Sequence, residues 1–186
     1  MQIPEQKPGL EDDIKEPIIP LVEHRLPWLV LGLLGGIITS IVVSKYESIL
    51  AADVRLVFFI PVIVYMSSAV GTQTETIYVR HLKKSKAYFT KYFWKEISLG
   101  ISLGTIFGLT TGLVTYTWLG SYPIALTVGL AMLINIALAP ALATLIPALL
   151  YKEHVDPALG AGPLGTIIQD LISLVIYFLV ASLIIF

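Results

Sequence analysis

The residue with the clearest chemical potential is Asp170, which lies within the final apolar stretch of the chain, PLGTIIQDLISLVIYFLVASLIIF. A carboxylate that faces lipid is costly, so an acid at membrane depth is by default a functional-site hypothesis. On a helix, Thr166 and Ser173 share one face with Asp170, and Gln169 lies beside it. This polar stripe predicts that the face lines a water-filled path rather than lipid.

Two further acids lie at or near membrane depth. Glu96 stands next to Lys95 at the start of an apolar stretch, which predicts a paired side chain at the membrane interface. Glu75 precedes Arg80 near the end of another apolar stretch, which predicts an ion pair within one helix. Asp170 has no basic residue within two turns of its own helix.

Other reactive groups are scarce. The chain has no cysteine, and its three histidines (His24, His81 and His154) fall in predicted tails or loops without the spacing of metal ligands. No Ser-His-Asp set or HExxH motif is present. We therefore expect no catalytic residue, no resident cofactor site and no enzyme.

The composition indicates which elements must position these residues. Of 186 residues, 56% are hydrophobic and 13% charged, whereas a soluble domain is about one quarter charged. A net charge of −1 argues against a nucleic-acid partner. A membrane-spanning helix needs about 20 apolar residues. The predicted fold is an all-α integral membrane protein with five transmembrane helices, at approximately 28–44, 56–79, 97–119, 123–150 and 164–186.

The distribution of lysine and arginine predicts the orientation. With five spans, one side of the membrane holds ten basic residues and the other holds only Lys45 and Arg55. The positive-inside rule then places the N-terminus in the cytoplasm and the C-terminus outside the cell membrane. We expect the basic loop RHLKKSKAYFTKYFWKE to lie among lipid headgroups.

A run of glycines predicts close helix packing. Gly100, Gly104, Gly108 and Gly112 recur every fourth residue of the third span and therefore share one face. Helices in lipid associate through such faces because lipid tails provide no hydrophobic drive. We expect this face to pack against another helix and to contribute to assembly.

Several segments resemble the membrane domain of MgtE-type magnesium channels and transporters, from about residue 25 to the C-terminus. The most specific is the run from Asp156-Pro157-Ala158 through Gly162-Pro163, which is expected to form a short turn, to a helix start that carries Thr166 and then Asp170. One departure is Ala69, which stands where the family pattern G-N-x-G-x-Q has asparagine, although Gly71 and Gln73 match. The resembling segments are RLPWL, VGTQTETIYVR, WKEISLG, VDPALGAGPLGTIIQD and IYFLVASL.

The resemblance implies a homodimeric bundle with a pore on its two-fold axis. In the family, the aspartate matching Asp170 binds hydrated Mg²⁺, helped by a main-chain oxygen one turn earlier, here that of Thr166. The transported ion would then be Mg²⁺ or another divalent cation, held between the Asp170 side chains of both subunits. Further candidates for lining the pore are Gln169, Ser173, Gly71 and Gln73.

The resemblance also divides the chain into two parts. Residues 25–186 correspond to the transmembrane domain, and residues 1–24 form an acidic tail that is predicted to be cytoplasmic. This is the pattern of a short form without the cytoplasmic regulatory domains that are common in the family. Glu11, Asp12, Asp13, Glu16 and Glu23 could bind Mg²⁺ weakly and control the path, or the tail could be inert.

Two other functions use the same residues differently. In a proton- or sodium-coupled secondary transporter of another solute, Asp170 would act as the relay. In a membrane assembly protein without transport, it would only make structural hydrogen bonds. The resemblance favours transport of a divalent cation over both.

Overall fold

The computed structural model describes residues 17–82, 89–154 and 157–185, and every regular element within these ranges is helical. The elements are α1 (Ile18–Ser44), α2 (Glu47–Ala52), a 3₁₀ helix (Val54–Phe59), α3 (Ile60–Leu82), α4 (Phe89–Leu119), α5 (Tyr122–Lys152) and α6 (Pro157–Ile185). The tail acids Glu11, Asp12, Asp13 and Glu16, and Asp156 of the D-P-A motif, lie outside the described residues.

Among the described residues, five helical segments are long and apolar enough to cross a membrane, which confirms the predicted number of spans. They are Ile18–Ser44, Val54–Arg80, Phe89–Leu119, Tyr122–Lys152 and Gly160–Ile185. Their boundaries differ from the predicted ones most clearly at three helix starts. α1 begins at Ile18, about ten residues before the predicted start of the first span. α4 begins at Phe89 because an aromatic-rich segment, which had been assigned to the basic loop, continues the helix.

The start of α6 also corrects the sequence interpretation. The Gly162-Pro163 segment is helical rather than a turn, and Pro163 lies within α6. Pro157 occupies the first position of the helix, where its missing N–H costs nothing and its fixed φ suits a helix. Consequently the helix that carries Asp170 begins before the Gly162-Pro163 segment instead of after it.

The core of the bundle is centred on α5, which packs against α3, α4 and α6. This helix is apolar on all sides and continues as one helix through Pro140 and Pro147. Such a helix is expected to be buried all round. The largest fully buried apolar side chains around it are Leu56, Ile63, Ile124, Met132, Ile136, Tyr177 and Phe178.

The predicted glycine face of α4 packs against α5 of the same chain. A Cβ placed on Gly104 would lie 2.6 Å from the Leu133 carbonyl oxygen, and one on Gly108 would lie 2.7 Å from that of Gly129. Only glycine allows the two backbones to approach so closely. The face thus packs against a helix as expected, but it is used within the chain and is not available for assembly of subunits.

In contrast, α1 packs mainly against α6 and exposes most of its apolar surface. The contact is reciprocal. The ring of Trp28 covers Gly160, whose added Cβ would lie 2.7 Å from it, and the side chain of Ile167 occupies the space beside Gly35. α1 is therefore attached along one edge of the bundle.

At the end of the bundle where α3 begins, aromatic side chains of α6 hold the preceding connection in place. Tyr177 Oη donates a 2.7 Å hydrogen bond to the Leu56 carbonyl oxygen, and Phe178 stacks on Tyr46 with 4.7 Å between ring centroids. Asp53 precedes the 3₁₀ helix, accepts from the Arg55 backbone N–H at 3.0 Å and pairs with its guanidinium at 2.7 Å. The start of α3 is thus fixed relative to α6.

Candidate functional site

Asp170 lies partly buried on α6, facing α3. Ser68 Oγ on α3 donates a 2.9 Å hydrogen bond to Asp170 Oδ1. Oδ2 accepts no hydrogen bond from the part of the chain that the structure describes. One carboxylate oxygen is therefore oriented by α3, and the other remains able to bind a ligand.

The carboxylate of Asp170 borders a large cavity of about 940 Å³ between α1, α3 and α6. Most of its lining is apolar, and its other polar side chains are Thr39, Tyr65, Ser68 and Thr166. All residues lining it are described, and none is lysine, arginine or histidine. Asp170 is thus the one charged group in its wall.

A buried hydrogen-bond network behind Asp170 connects three helices. Gln169 Nε2 donates to Ser67 Oγ on α3 and, at 3.4 Å, to Ser173 Oγ one turn further along α6. Asn135 Nδ2 on α5 donates at 3.3 Å to the Ser173 carbonyl oxygen. Ser67 Oγ donates in turn to the Asn135 carbonyl oxygen at 3.3 Å. Because a rotation of α6 would break these bonds, the network fixes the direction of the neighbouring Asp170.

Three residues of the site, Ser67, Ser68 and Asn135, were not predicted from the sequence. Asn135 carries a detectable signal, since it is an amide within a long apolar helix and is fully buried. A buried amide needs hydrogen-bond partners, so its partners had to be supplied by other helices. Ser67 and Ser68 have no such signal because serine is common in membrane helices.

A second, small cavity of about 200 Å³ lies between α3, α5 and α6. Glu75 is its only charged lining residue, and all its lining residues are described. Ser68 and Thr166 border both cavities and therefore lie between them. No ion pair joins Glu75 to Arg80 in the described ranges, which corrects the predicted pairing. The two residues are five positions apart, which is not a spacing that brings side chains together on a helix.

The predicted ligand Thr166 is exposed, and its hydroxyl donates a 2.9 Å hydrogen bond to the Gly162 carbonyl oxygen. The hydroxyl is thus engaged within α6, as in many membrane helices. The Thr166 carbonyl oxygen belongs to the helical ladder and has a second lone pair available. Participation of this main-chain oxygen in ion binding stays a prediction.

The remaining predicted pore residues differ in their surroundings. Gln169 and Gly71 border the small cavity, whereas Ser173 is fully buried and Gln73 is exposed, and neither borders a cavity. Ser173 instead supports the network behind Asp170. That these residues line a pore in an assembly stays a prediction.

The structure corrects the prediction for Glu96. Rather than lying at the interface beside Lys95, it is buried, with 7% of its surface exposed, and accepts a 3.0 Å hydrogen bond from Thr74 Oγ1. The spacing within α4 could not reveal this contact, because Thr74 belongs to α3. The bond links the two helices near the end of α3.

Within the described ranges, no three or more His, Asp or Glu side chains converge to hold a metal ion. A fully dehydrated Mg²⁺ would need about six oxygen ligands from the protein. One chain therefore offers separate carboxylates beside cavities, an arrangement suited to an ion that keeps its water shell.

Residues 60–180 match the family model of MgtE, "Divalent cation transporter". The chain belongs to the MgtE family. The matched region runs from the start of α3 into the last turns of α6 and includes Asp170, Glu75 and the hydrogen-bond network behind Asp170, whereas the α1 wall of the large cavity lies outside it. The resemblance noted in the sequence is thus confirmed.

Curated relatives extend the match over most of the chain. It is 32% identical over 162 residues to "Magnesium transporter MgtE" of Bacillus subtilis and 33% identical over 175 residues to the protein of that name in Enterococcus faecalis. The Thermus thermophilus protein of the same name is 32% identical over 163 residues. These alignments cover 86% to 92% of this chain but only 36% to 39% of each relative.

Family membership and the five apolar helices together assign this MgtE chain to a membrane, which it crosses several times. The relatives are named as transporters rather than as enzymes. The chain spans little more than a third of the length of each relative.

Proposed function

We propose that this chain carries Mg²⁺ across the membrane through a hydrated path lined by Asp170 of two subunits. The observation that carries the proposal is the carboxylate of Asp170, which borders a large cavity without a cationic side chain in its lining. Such a charge at membrane depth favours a cation beside it. The names of the relatives supply the identity of the ion.

The chemistry of Mg²⁺ suits this arrangement. The ion dehydrates reluctantly and keeps several of its waters when it binds to protein. The free Oδ2 of Asp170 can accept hydrogen bonds from those waters, while Ser68 holds Oδ1. A site that binds through water attracts the ion without holding it too tightly for release.

A second subunit supplies the missing negative charge. Two Asp170 carboxylates would repel each other, and a divalent cation between them removes that penalty. We place the two-fold axis beside the large cavity, where Asp170 and Thr166 lie on one face of α6. The distribution of basic residues supports a cytoplasmic N-terminus and an external C-terminus in this dimer.

The test is Mg²⁺ uptake into liposomes that contain the purified protein and an enclosed Mg²⁺ indicator. D170N keeps the size and one acceptor oxygen but removes the charge, so uptake should fall at least about tenfold. E47Q is the control, because Glu47 is exposed in the first turn of α2 and lies away from both cavities. Wild-type uptake should need neither a sodium nor a proton gradient. Equal uptake by D170N and E47Q would contradict the site, and strict dependence on either gradient would contradict the uncoupled path.

The dimer is tested separately by native mass spectrometry and by cross-linking in membranes. Cysteine introduced at position 65 or 36 suits the second method, because the chain has no natural cysteine and both positions border the large cavity. We expect disulfide-linked dimers from these variants. A functional monomer would contradict the proposed axis.

A further inference from the structure

A second carboxylate lies on the same seam between α3 and α6. Ser68, Thr72 and Glu75 recur at helical spacing on α3 and border the small cavity, opposite Gly165 and Gln169 of α6. The two helices are antiparallel along this seam, since Ser68 contacts Asp170 and Glu75 contacts the segment at Gly165. Glu75 therefore lies two turns of α3, about 10 Å, from the level of Asp170.

Gly165 provides space for the Glu75 side chain. A Cβ added to Gly165 would lie 3.0 Å from Glu75 Oε2, closer than most side chains tolerate. The carboxylate thus lies across the backbone of α6, directed into the seam. Glu75 has no ion pair and accepts no hydrogen bond within the described part of the chain. Within the described ranges, no contact therefore neutralises its charge.

The small cavity also contains an amide oxygen. Both hydrogen bonds that Gln169 makes use its Nε2, whereas its Oε1 lies 3.7 Å from the position of a Cβ on Gly71 and accepts none from the described residues. Gln169 itself is buried, with 5% of its surface exposed. Carboxylate and amide oxygens are the ligands that hard divalent cations prefer.

We propose that Glu75, with Gln169 Oε1, forms a second binding station for a hydrated divalent cation, on the side of Asp170 where α3 ends. Ser68 and Thr166, which border both cavities, lie between the two stations. Two cations about 10 Å apart repel each other, so occupation of one station promotes release from the other. The inference rests on the proposed transport function for its role, but not for the binding of the ion.

The experiment combines Mn²⁺ titration of the purified full chain in detergent with Mg²⁺ uptake into liposomes. E75Q should weaken Mn²⁺ binding at one class of site at least about tenfold and lower uptake several-fold. The matched control is E153Q, because Glu153 is an exposed residue directly after α5, at the same end of the bundle. Elution of each variant as a single species by size-exclusion chromatography verifies folding.

A second pair of variants keeps every charge in place. G165A should displace the Glu75 carboxylate and reproduce part of the E75Q effect on Mn²⁺ affinity. G162A is its control on the same helix and cavity, since a Cβ there meets nothing within 4 Å. If G165A binds Mn²⁺ as G162A does, the assigned position of the carboxylate is wrong.

The outcomes separate this inference from the proposed function. If D170N abolishes uptake while E75Q matches E153Q in Mn²⁺ affinity, the Glu75 station is overturned and transport through Asp170 stands. If the wild type shows no uptake, the proposed transport function is contradicted. The Mn²⁺ titration alone then tests the Glu75 station. A loss of one site in E75Q then supports the station, and an unchanged titration overturns it.

Discussion

In the α4–α5 hairpin, glycines bring two backbones into contact, whereas on the α3–α6 seam a glycine leaves room for a carboxylate. The first case is Gly104 against Leu133, and the second is Gly165 beside Glu75. The hydroxyl groups differ in the same way. Ser98, Ser102 and Thr105 of α4 all donate to carbonyl oxygens of their own helix. Ser67 and Ser68 of α3 donate to other helices.

The difference shows how one small bundle can combine a rigid part with a polar part. In the hairpin, glycines bring the two backbones into contact, and the hydroxyl groups of Ser98, Ser102 and Thr105 are satisfied within α4. Along the seam, polar side chains hold the helices at a fixed distance and leave two cavities beside them. The same residue types thus exclude water in one place and provide for it in another.

The largest effect is expected in the hairpin. G104L inserts a branched side chain where even a Cβ meets the Leu133 carbonyl oxygen, so the folded bundle should be lost. The milder G104A should destabilise the protein by about 1–3 kcal/mol through overpacking. Thermal unfolding monitored by size-exclusion chromatography measures both. G36A is the control, because its Cβ meets nothing within 4 Å, and equal melting of G104A and G36A would refute the close approach.

The next effect concerns the bond that connects the two regions. T74V removes the donor to buried Glu96, so the carboxylate loses this hydrogen bond at a cost of about 1–3 kcal/mol. E96Q keeps an acceptor oxygen for Thr74 and removes the charge, so it should destabilise less. The melting temperatures of the two variants test this expected order of stability. A more stable T74V than E96Q would show that the charge, and not the hydrogen bond, determines the local stability.

A smaller change is expected from the network behind Asp170. Q169L removes both donated hydrogen bonds and should cost about 1–2 kcal/mol. Mn²⁺ affinity should fall as well, because Asp170 loses its fixed direction and the proposed Glu75 station loses the amide oxygen of Gln169. Q73L is the comparison, since Gln73 is exposed on α3 and borders neither cavity. If Q169L and Q73L bind Mn²⁺ with equal affinity, the network does not contribute to ion binding.

The smallest effect lies in the connection before α3. Hydrogen bonding from the Arg55 side chain lowers the pKa of Asp53 below its ordinary value of 3.8. The stabilisation is therefore complete above that value and is lost as the pH falls through the lowered pKa. D53N should remove part of the decline in melting temperature between pH 5 and pH 3 that the wild type shows. If the melting temperatures of D53N and the wild type decline in parallel, the Asp53–Arg55 pair makes no measurable contribution to stability.

Helix number and the face of Gly104 could be predicted because they depend on length and on spacing within one helix. The neighbours of Asp170 on its own helix followed from the same periodicity. Its hydrogen-bond donor Ser68 did not, because the two residues are 102 positions apart and meet only through tertiary packing. The prediction for Glu96 was wrong for the same reason. The sequence shows its neighbour Lys95, but it does not show that Thr74 of α3 contacts Glu96 in the folded bundle.

The contact between Tyr177 and the Leu56 carbonyl oxygen has a mechanical consequence. Together with the bond from Ser68 to Asp170, it clamps α6 to the α3 segment at two levels about 10 Å apart, the seven residues from Asp170 to Tyr177. Two hydrogen bonds at different levels restrict both rotation and translation of α6 relative to α3, so the two helices should move as one rigid body. α1, attached along a single edge of α6, is the element left to swing, and its backbone amides should exchange with solvent deuterium before those of the clamped pair.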